Sequence, residues 1–295
     1  MKKIRLSRED RIFSIILGIV LFLVCFLLIY PLYFILIASF TDPYVVNSGK
    51  FLLWPEKPYM GGYERIFEYS PLWKGYRNSL IYTVLTVGCA MITTIPSAYV
   101  LSRKDFRARN PIMMLFTFTM FFSGGIIPSY LLIRSLGLLN SIWSVILPVS
   151  GSAWNLIVAR TFFQESIPSE LLEASRIDGA DDFRFFFQIA LPLSKTILAV
   201  IALFFAVSQW NSYFNALMYL NEDRKMPLQL ILRNLILINS MTDMLGDAMG
   251  MEERIRMAEQ MKYGIIVVGT APLLIIYIFL QKFFAKGVMI GAVKG

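Results

Sequence analysis

Six long apolar runs, separated by polar segments, dominate the hydrophobic pattern of this 295-residue chain. Each run reaches the roughly 20 residues that an α-helix needs to cross about 30 Å of hydrocarbon. The pattern therefore predicts an all-α polytopic membrane protein, with six transmembrane helices in a single domain over residues 1–295. The predicted spans are residues 12–40, 79–101, 112–133, 141–163, 196–220 and 263–285.

The basic residues predict which ends of these spans face the cytoplasm. Five Lys or Arg residues precede the first span, and four lie in RKDFRARN after the second span, whereas the loop after the third span carries Arg134 alone. Because Lys and Arg are retained on the cytoplasmic side, we expect both termini to be cytoplasmic. Residues 164–195, between the fourth and fifth spans, then lie on the same side.

The composition supports a membrane protein and argues against nucleic acid as a partner. Hydrophobic residues make up 57% of the chain and charged residues only 16%, well below the roughly 25% of a soluble domain. The net charge of +8 comes from basic residues dispersed at the ends of the spans, so it indicates orientation in the membrane. We therefore expect membrane lipid as a partner, and no nucleic acid.

Candidate catalytic chemistry is scarce. The chain has no histidine, and its two cysteines, Cys25 and Cys89, lie inside apolar runs, so we predict no catalytic residue and no metal site. No Asp, Glu, Lys or Arg lies in the middle of a predicted span, which disfavours an ion-coupled secondary transporter. An intramembrane enzyme is disfavoured because no buried acid or histidine accompanies the serines of the spans.

Neutral polar and aromatic residues within the spans are candidates for a substrate path. Aromatic faces and amides together match the apolar and hydroxyl faces of a pyranose ring. The alternative interpretation is that the amides join helices and that the aromatic rings mark the membrane interface. The candidates are Gln209, Trp210, Asn211, Tyr213 and Asn215 near the end of the fifth span, and Asn155 in the fourth.

The cytoplasmic stretch ELLEASRIDGADDFRFFFQIALPLSK, residues 170–195, breaks the apolar pattern. Ser169 is a candidate N-cap for a short helix that runs to Asp178, and Gly179 fits a left-handed C-terminal cap. Asp181 or Asp182 is a candidate N-cap for a second helix. The pattern predicts two helices that meet at a glycine turn, and the first is too short to be stable alone in water.

This stretch resembles the Glu-Ala-Ala coupling loop of binding-protein-dependent importers that are powered by ATP-binding-cassette (ABC) subunits. The family pattern is Glu-Ala-Ala, three residues, Gly, nine residues, Ile, one residue and Leu-Pro. Only Ser175 departs from it, in place of the second alanine. The matching residues are Glu173, Ala174, Gly179, Ile189, Leu191 and Pro192. The rest of the chain is similar to carbohydrate-uptake permeases of the maltose and glycerol-phosphate type, and its C-terminal part to the subgroup that imports plant or algal oligosaccharides, including uronates.

The resemblance implies a multi-pass permease subunit in a bacterial cell membrane, without enzymatic activity of its own. The implied partners are a homologous second permease, a cytoplasmic ATPase dimer and an extracytoplasmic solute-binding protein. ATP and Mg would lie on the ATPase and no cofactor on this chain, which has no phosphate-binding G-x-x-x-x-G-K-[ST] loop. Glu173 and Asp178 would anchor the coupling helix on the ATPase.

The cargo stays open at this point. A sugar or oligosaccharide, with or without uronates, is the first expectation, and glycerol phosphate or another non-sugar solute is the alternative. An acidic sugar would need cationic side chains along its path. The arginines predicted near the outer mouth are Arg77, Arg134, Arg233, Arg254 and Arg256.

Overall fold

A computed structural model describes residues 8–237 and 250–292. Every helix or strand assigned within these residues is a helix, which confirms the all-α prediction. Numbered in chain order, the α-helices are α1 (Arg8–Ala38), α2 (Pro43–Asn47), α3 (Gly61–Glu68), α4 (Ser70–Ser102), α5 (Arg109–Phe121), α6 (Ile126–Ser135), α7 (Trp143–Ser150), α8 (Ala153–Ser166), α9 (Ser169–Ile177), α10 (Asp182–Phe185), α11 (Leu191–Leu193), α12 (Lys195–Trp210), α13 (Phe214–Tyr219), α14 (Leu228–Leu237) and α15 (Met251–Ala292). A π-helical segment, Phe186–Ala190, joins α10 to α11, and a 3₁₀ turn covers Asp223–Lys225.

The described helices supply three candidate spans that are each one helix and three that are bent pairs of helices. By length and hydropathy, Glu9–Ala38, Ser70–Ser102 and Ile255–Ile278 can each cross a membrane. Three helix pairs pass the same test when each pair is taken together, so the described residues provide up to six spans. The bent pairs are α5 with α6 (116°), α7 with α8 (44°), and Asp182–Leu193 with α12 (80°).

The predicted fifth span, residues 196–220, is not one continuous helix. Helix α12 ends at Trp210, and the helical path resumes only at Phe214. Asn211 and Ser212 supply the break, and Asn211 caps α12 by donating its side-chain amide to the Val207 carbonyl (3.0 Å). Ser and Asn compete with the backbone for hydrogen bonds, so they favour helix ends over helix interiors.

The chain divides into two compact units, which are described separately; the predicted single domain stays a prediction. The first unit comprises Met1–Tyr69 and Leu235–Thr270, and the second comprises Ser70–Asn234 and Ala271–Gly295. In the second unit, α4 packs against α8 and α12. The main core cluster there includes Tyr99, Phe163, Phe185, Phe186 and Ile201, each less than 10% exposed. This cluster lies beside the predicted coupling loop.

The first unit is organised around the buried side chain of Gln260, which is 1% exposed. Its Nε2 donates to the carbonyls of Ser39 (3.0 Å) and Tyr59, and its Oε1 accepts from the Gly62 amide (2.7 Å). The Tyr63 hydroxyl also donates to Ser39 Oγ (2.8 Å). A buried amide whose hydrogen bonds are satisfied fixes the relative position of the segments that it joins.

A close backbone approach in the second unit requires a glycine on α4. A Cβ atom on Gly75 would lie 2.6 Å from Ile231 Cδ1 and 3.1 Å from Leu228 Cα. One turn later, Ser79 Oγ accepts a hydrogen bond from the Leu228 amide (2.8 Å). The start of α14 therefore rests on a small-residue face of α4, as is common in membrane helix packing.

We expect Gly75→Ala to lower the stability of the protein by about 1–3 kcal/mol, because the added methyl group overpacks this contact. Gly88→Ala is the matched control on the same helix, since a Cβ at Gly88 meets nothing within 4 Å. The measurement is thermal unfolding of the purified protein in one detergent. Equal midpoints for the two variants would contradict the close approach.

Candidate coupling site

Helix α9 begins after a proline and not at the predicted serine cap. Pro168 occupies the N-cap position with φ −61° and ψ 143°, and Ser169 is the first helical residue. The prediction that Ser169 caps the helix is therefore wrong. The physical reason lies in the proline. Its fixed φ and extended ψ give Pro168 the backbone conformation of an N-cap residue, and it disfavours a helical conformation in the residue before it, so the helix starts directly after it, at Ser169. The helix ends at Ile177, one residue earlier than predicted, with Asp178 as its C-cap.

The end of α9 is a Schellman motif built on Gly179. Gly179 has φ +76°, the left-handed conformation that the sequence predicted. The Ala180 amide donates to the Ser175 carbonyl (2.9 Å), and the Gly179 amide donates to the Arg176 carbonyl (3.1 Å). These two bonds satisfy carbonyls that a helix end otherwise leaves unpaired. The glycine turn therefore has the predicted conformation.

The two faces of α9 differ in what they contact. Ser175 is 6% exposed, and its hydroxyl donates to the Leu172 carbonyl (2.8 Å), while Leu172 packs against the main core cluster. Glu173 and Ala174 are exposed, and Ile177 is 87% exposed. The departure from the family pattern at Ser175 thus lies on the inward face, and its polar group is satisfied locally. The outward face combines a carboxylate with a large exposed apolar side chain.

The second helix of the loop begins at the predicted acidic cap. The side chain of Asp181 accepts a hydrogen bond from the Arg184 amide (2.7 Å), which selects Asp181 over Asp182 as the N-cap. The π-helical segment that follows ends just before Pro192. Proline lacks the amide hydrogen and crowds the carbonyl four residues earlier, so the regular hydrogen-bond pattern cannot continue there.

The residues that follow the turn anchor the loop in the protein core. Ile189 and Leu191 pack against the main core cluster, whereas Pro192 is exposed. At Ser194 the chain bends by 80° into α12. Ile189 and Leu191 of the motif therefore pack on the inside of this protein, whereas Glu173, Ala174 and Pro192 are exposed.

Four charged side chains form a closed ionic ring that holds α9 to the end of α4. Arg103 contacts Asp105 through two hydrogen bonds (2.9 and 2.5 Å) and Asp182 through Nη1 (2.7 Å). Arg176 of α9 contacts Asp105 (3.0 Å) and Asp182 (3.6 Å). The ring therefore joins three segments: the loop after α4, helix α9 and the start of α10. Only Arg103 is largely buried, with 12% of its side chain exposed.

The ring lowers the pKa of Asp105 well below its usual range, chiefly because the carboxylate accepts hydrogen bonds from Arg103 and also from Arg176. A lowered folded pKa means that this stabilisation is present above the ordinary carboxyl pKa and is lost only as the pH falls through the lowered value. The Asp105 carboxylate therefore stays ionised throughout the physiological pH range.

Sequence reasoning missed the four ring residues as a group. Asp182 was considered only as a cap, and the arginines of RKDFRARN were used only for orientation. The sequence gives only a weak indication of the ring. Arg103 and Asp105 lie two residues apart just after a predicted span, and the loop of residues 164–195 contains further charged residues, among them Arg176 and Asp182. Which of these charges meet depends on the fold, because Arg103 and Asp182 are far apart in sequence.

The predicted substrate-path residues do not share one environment. Gln209 and Trp210 are each 3% exposed, whereas Asn211 and Tyr213 are exposed, and Asn215 is half-buried. Trp210 lies 6.2 Å from the ring of Tyr76. Asn155 is 6% exposed in the first turn of α8, where Ser152 is the N-cap. The described hydrogen bonds do not link Asn155 to the other five.

Tyr213 carries a cationic neighbour that the sequence did not reveal. The guanidinium carbon of Arg233 lies 5.5 Å from the centroid of the Tyr213 ring, within the range of a cation–π contact. Arg233 is half-buried, and Tyr213 is 39% exposed. Of the other predicted mouth arginines, Arg256 is ion-paired with Asp42 (2.6 Å), Arg77 and Arg134 are exposed, and the side chain of Arg254 lies outside the described part.

The bent apolar helices and the braced loop of residues 164–195 define the membrane-spanning subunit of a binding-protein-dependent importer. The chain belongs to the family described as "Binding-protein-dependent transport system inner membrane component", whose profile matches residues 71–290. This assignment confirms the resemblance noted in the sequence. The chain is thus an ABC transporter permease and not an enzyme, and the family implies in general an ATPase and a substrate-binding protein as partners.

Several named relatives are similar along most of the chain. The polygalacturonan/rhamnogalacturonan transport system permease protein YtcP of Bacillus subtilis (strain 168) is 41% identical over 97% of this chain and 100% of its own. Protein LplC of the same organism is 38% identical over 90% of each chain. A solved bacterial ABC transporter involved in the import of the acidic polysaccharide alginate has a chain with a TM-score of 0.81 and 32% identity, covering 96% of this chain and 100% of that one.

We expect Arg176→Gln to loosen α9, because it removes one cation from the ring and leaves two carboxylates with only Arg103. The measurement is hydrogen exchange of the amides of residues 169–178 in the assembled transporter at neutral pH, with exchange several-fold faster than in the wild type. Arg184→Gln is the matched control, since the Arg184 side chain donates to Gln188 (3.1 Å) and is not a member of the ring. Unchanged exchange in Arg176→Gln would contradict the role of the ring.

Proposed function

We propose that this permease carries an acidic, uronate-containing oligosaccharide across a bacterial cell membrane, and that α9 receives the movement of a cytoplasmic ATPase. In this proposal both termini and α9 face the cytoplasm, and a second, homologous permease completes the path. ATP and Mg lie on the ATPase dimer. A solute-binding protein delivers the sugar from the opposite side.

The outward face of α9 carries the coupling part of the proposal. An isoleucine that is 87% exposed, beside an exposed carboxylate, has no structural function in the described part of this chain. An exposed apolar residue rimmed by charge is typical of a contact with another protein. The inward face, the Schellman turn and the ionic ring hold that face rigidly, as a lever requires.

The contact between Arg233 and Tyr213 supports the proposal that the substrate is an acidic sugar. A guanidinium binds carboxylates through paired hydrogen bonds, and an aromatic ring packs against the apolar face of a sugar. A uronate residue has both a carboxylate, which the guanidinium can bind, and an apolar sugar face, which the aromatic ring can contact. The similarity to YtcP, a polygalacturonan/rhamnogalacturonan permease by name, and to the alginate transporter also supports an acidic polysaccharide fragment over a neutral sugar or glycerol phosphate.

We expect Glu173→Lys to abolish uptake while the permease remains in the membrane, because the substitution reverses the charge that the ATPase meets. The readouts are uptake by cells, permease abundance in the membrane fraction and sugar-stimulated ATP hydrolysis. Glu165→Lys is the matched control, an exposed glutamate at the end of α8. Normal sugar-stimulated ATP hydrolysis in Glu173→Lys would exclude this role for α9.

We expect Arg233→Gln to reduce the uptake of short oligogalacturonates by roughly tenfold or more, since a hydrogen bond to a charged group contributes about 1.5–3 kcal/mol. The measurement is uptake into vesicles that contain the whole importer, with the binding protein supplied in excess. Arg134→Gln, an exposed arginine of α6, is the control. The acidic-sugar proposal fails if Arg233→Gln transports oligogalacturonates normally, or if the binding protein prefers glycerol phosphate or neutral sugars.

A further inference from the structure

The loop of residues 50–56, which we call the 50–56 loop, displays a contiguous apolar surface. Phe51 is 59% exposed, Leu53 is 61% exposed, and Trp54 is 78% exposed. Leu52, between them, is only 1% exposed and packs in a cluster with Ile37. The buried leucine therefore fixes the loop while its three large apolar neighbours stay largely exposed.

Two contacts hold this loop against one turn of α1, at Tyr30 and Tyr33. The ring of Phe51 stacks on Tyr30 with centroids 4.6 Å apart and planes within 10°. The Tyr33 hydroxyl donates to the Leu53 carbonyl (2.6 Å). Tyr30 and Tyr33 are one turn apart, so the loop lies alongside a single turn of the helix.

That turn falls at the edge of the hydrocarbon. The charged residues of α1 end at Arg11, and the apolar run starts at Ile12. At 1.5 Å per residue, roughly 30 Å of hydrocarbon takes about 20 residues, which reaches about Pro31. Tyr30 and Tyr33 therefore bracket the boundary between acyl chains and headgroups, where tyrosine and tryptophan side chains concentrate.

The surface next to the loop is also apolar and exposed within the described residues. Helix α1 buries none of its most apolar 18-residue stretch within the described part of the chain. The exposed side chains of the 50–56 loop continue this apolar surface at the depth of Tyr30. The charged residues Lys50 and Glu56 flank the apolar residues, as expected for a segment whose ends stay among headgroups.

We propose that the 50–56 loop is a lipid-binding anchor, with Trp54 inserted at the boundary between headgroups and acyl chains beside the C-terminal end of α1. The lipid is any bilayer phospholipid, because the contact uses apolar side chains and an amphipathic indole without a dedicated charged pocket. The anchor sets the depth of the first unit, including α2 and α3, relative to the bilayer. Its position does not depend on which sugar is carried.

The test is a depth measurement by spin label in the assembled importer, reconstituted in vesicles of phosphatidylethanolamine and phosphatidylglycerol. Single cysteines are introduced as Trp54→Cys, Leu28→Cys and Glu68→Cys after both native cysteines are replaced by serine. Leu28, on the apolar stretch of α1, is the hydrocarbon reference, and Glu68, an exposed residue of α3, is the aqueous reference. Collision rates with oxygen and with a water-soluble nickel complex give the depth of each label.

We expect the ratio of oxygen to nickel collisions at position 54 to be several-fold higher than at position 68, and to lie between the two references. A ratio equal to that at position 68 would place the loop in water and overturn the anchor. Low collision rates with both reagents would show that another protein chain covers the loop, which would also overturn it. Because Trp54 is exposed, its replacement leaves the core unchanged, and normal ATP hydrolysis by the labelled importer verifies assembly.

Discussion

The ionic ring around Arg103 is the interaction on which the geometry of the loop of residues 164–195 depends. Helix α9 has nine residues, and an isolated helix of that length does not persist in water. It is held on one side by apolar contacts of Leu172 with the core, and on the other by charges that reach α4 and α10. A displacement of α9 therefore pulls on Arg103 and Asp105, which lie just after the last residue of α4.

The second half of the loop continues this rigid path into the membrane. The Schellman turn sets the direction of the chain after α9, and Asp181 starts the next helix within two residues. The π-helical segment then packs Phe186 into the core before the 80° bend into α12. The regular helix is interrupted at three places: at the left-handed Gly179, near Pro192, and at the bend at Ser194. The result is a chain of short rigid pieces, as suits a part that transmits movement.

The sequence predicted the helical class and the coupling loop, because both depend on local signals. Apolar run length decides whether a segment can span the membrane, and Gly179 decides the turn by the absence of a Cβ atom. The same local logic failed at Ser169, where the proline before it took the cap position. It also failed to show that the fifth apolar run divides at Asn211, since hydropathy averages over short polar breaks. The ionic ring and the Arg233 contact with Tyr213 join residues distant in sequence, so only the folded chain reveals them.

The ring contains two arginines and two aspartates, and its formal charge is zero. The surface potential of a membrane varies with its content of anionic lipid, and it exerts force in proportion to net charge. Opposing forces on the two signs therefore nearly cancel over the few ångströms that separate them. A change in the anionic lipid of the bilayer therefore exerts little net force on the ring as a whole, and the ring depends on the contacts of 2.5–3.6 Å between its own members.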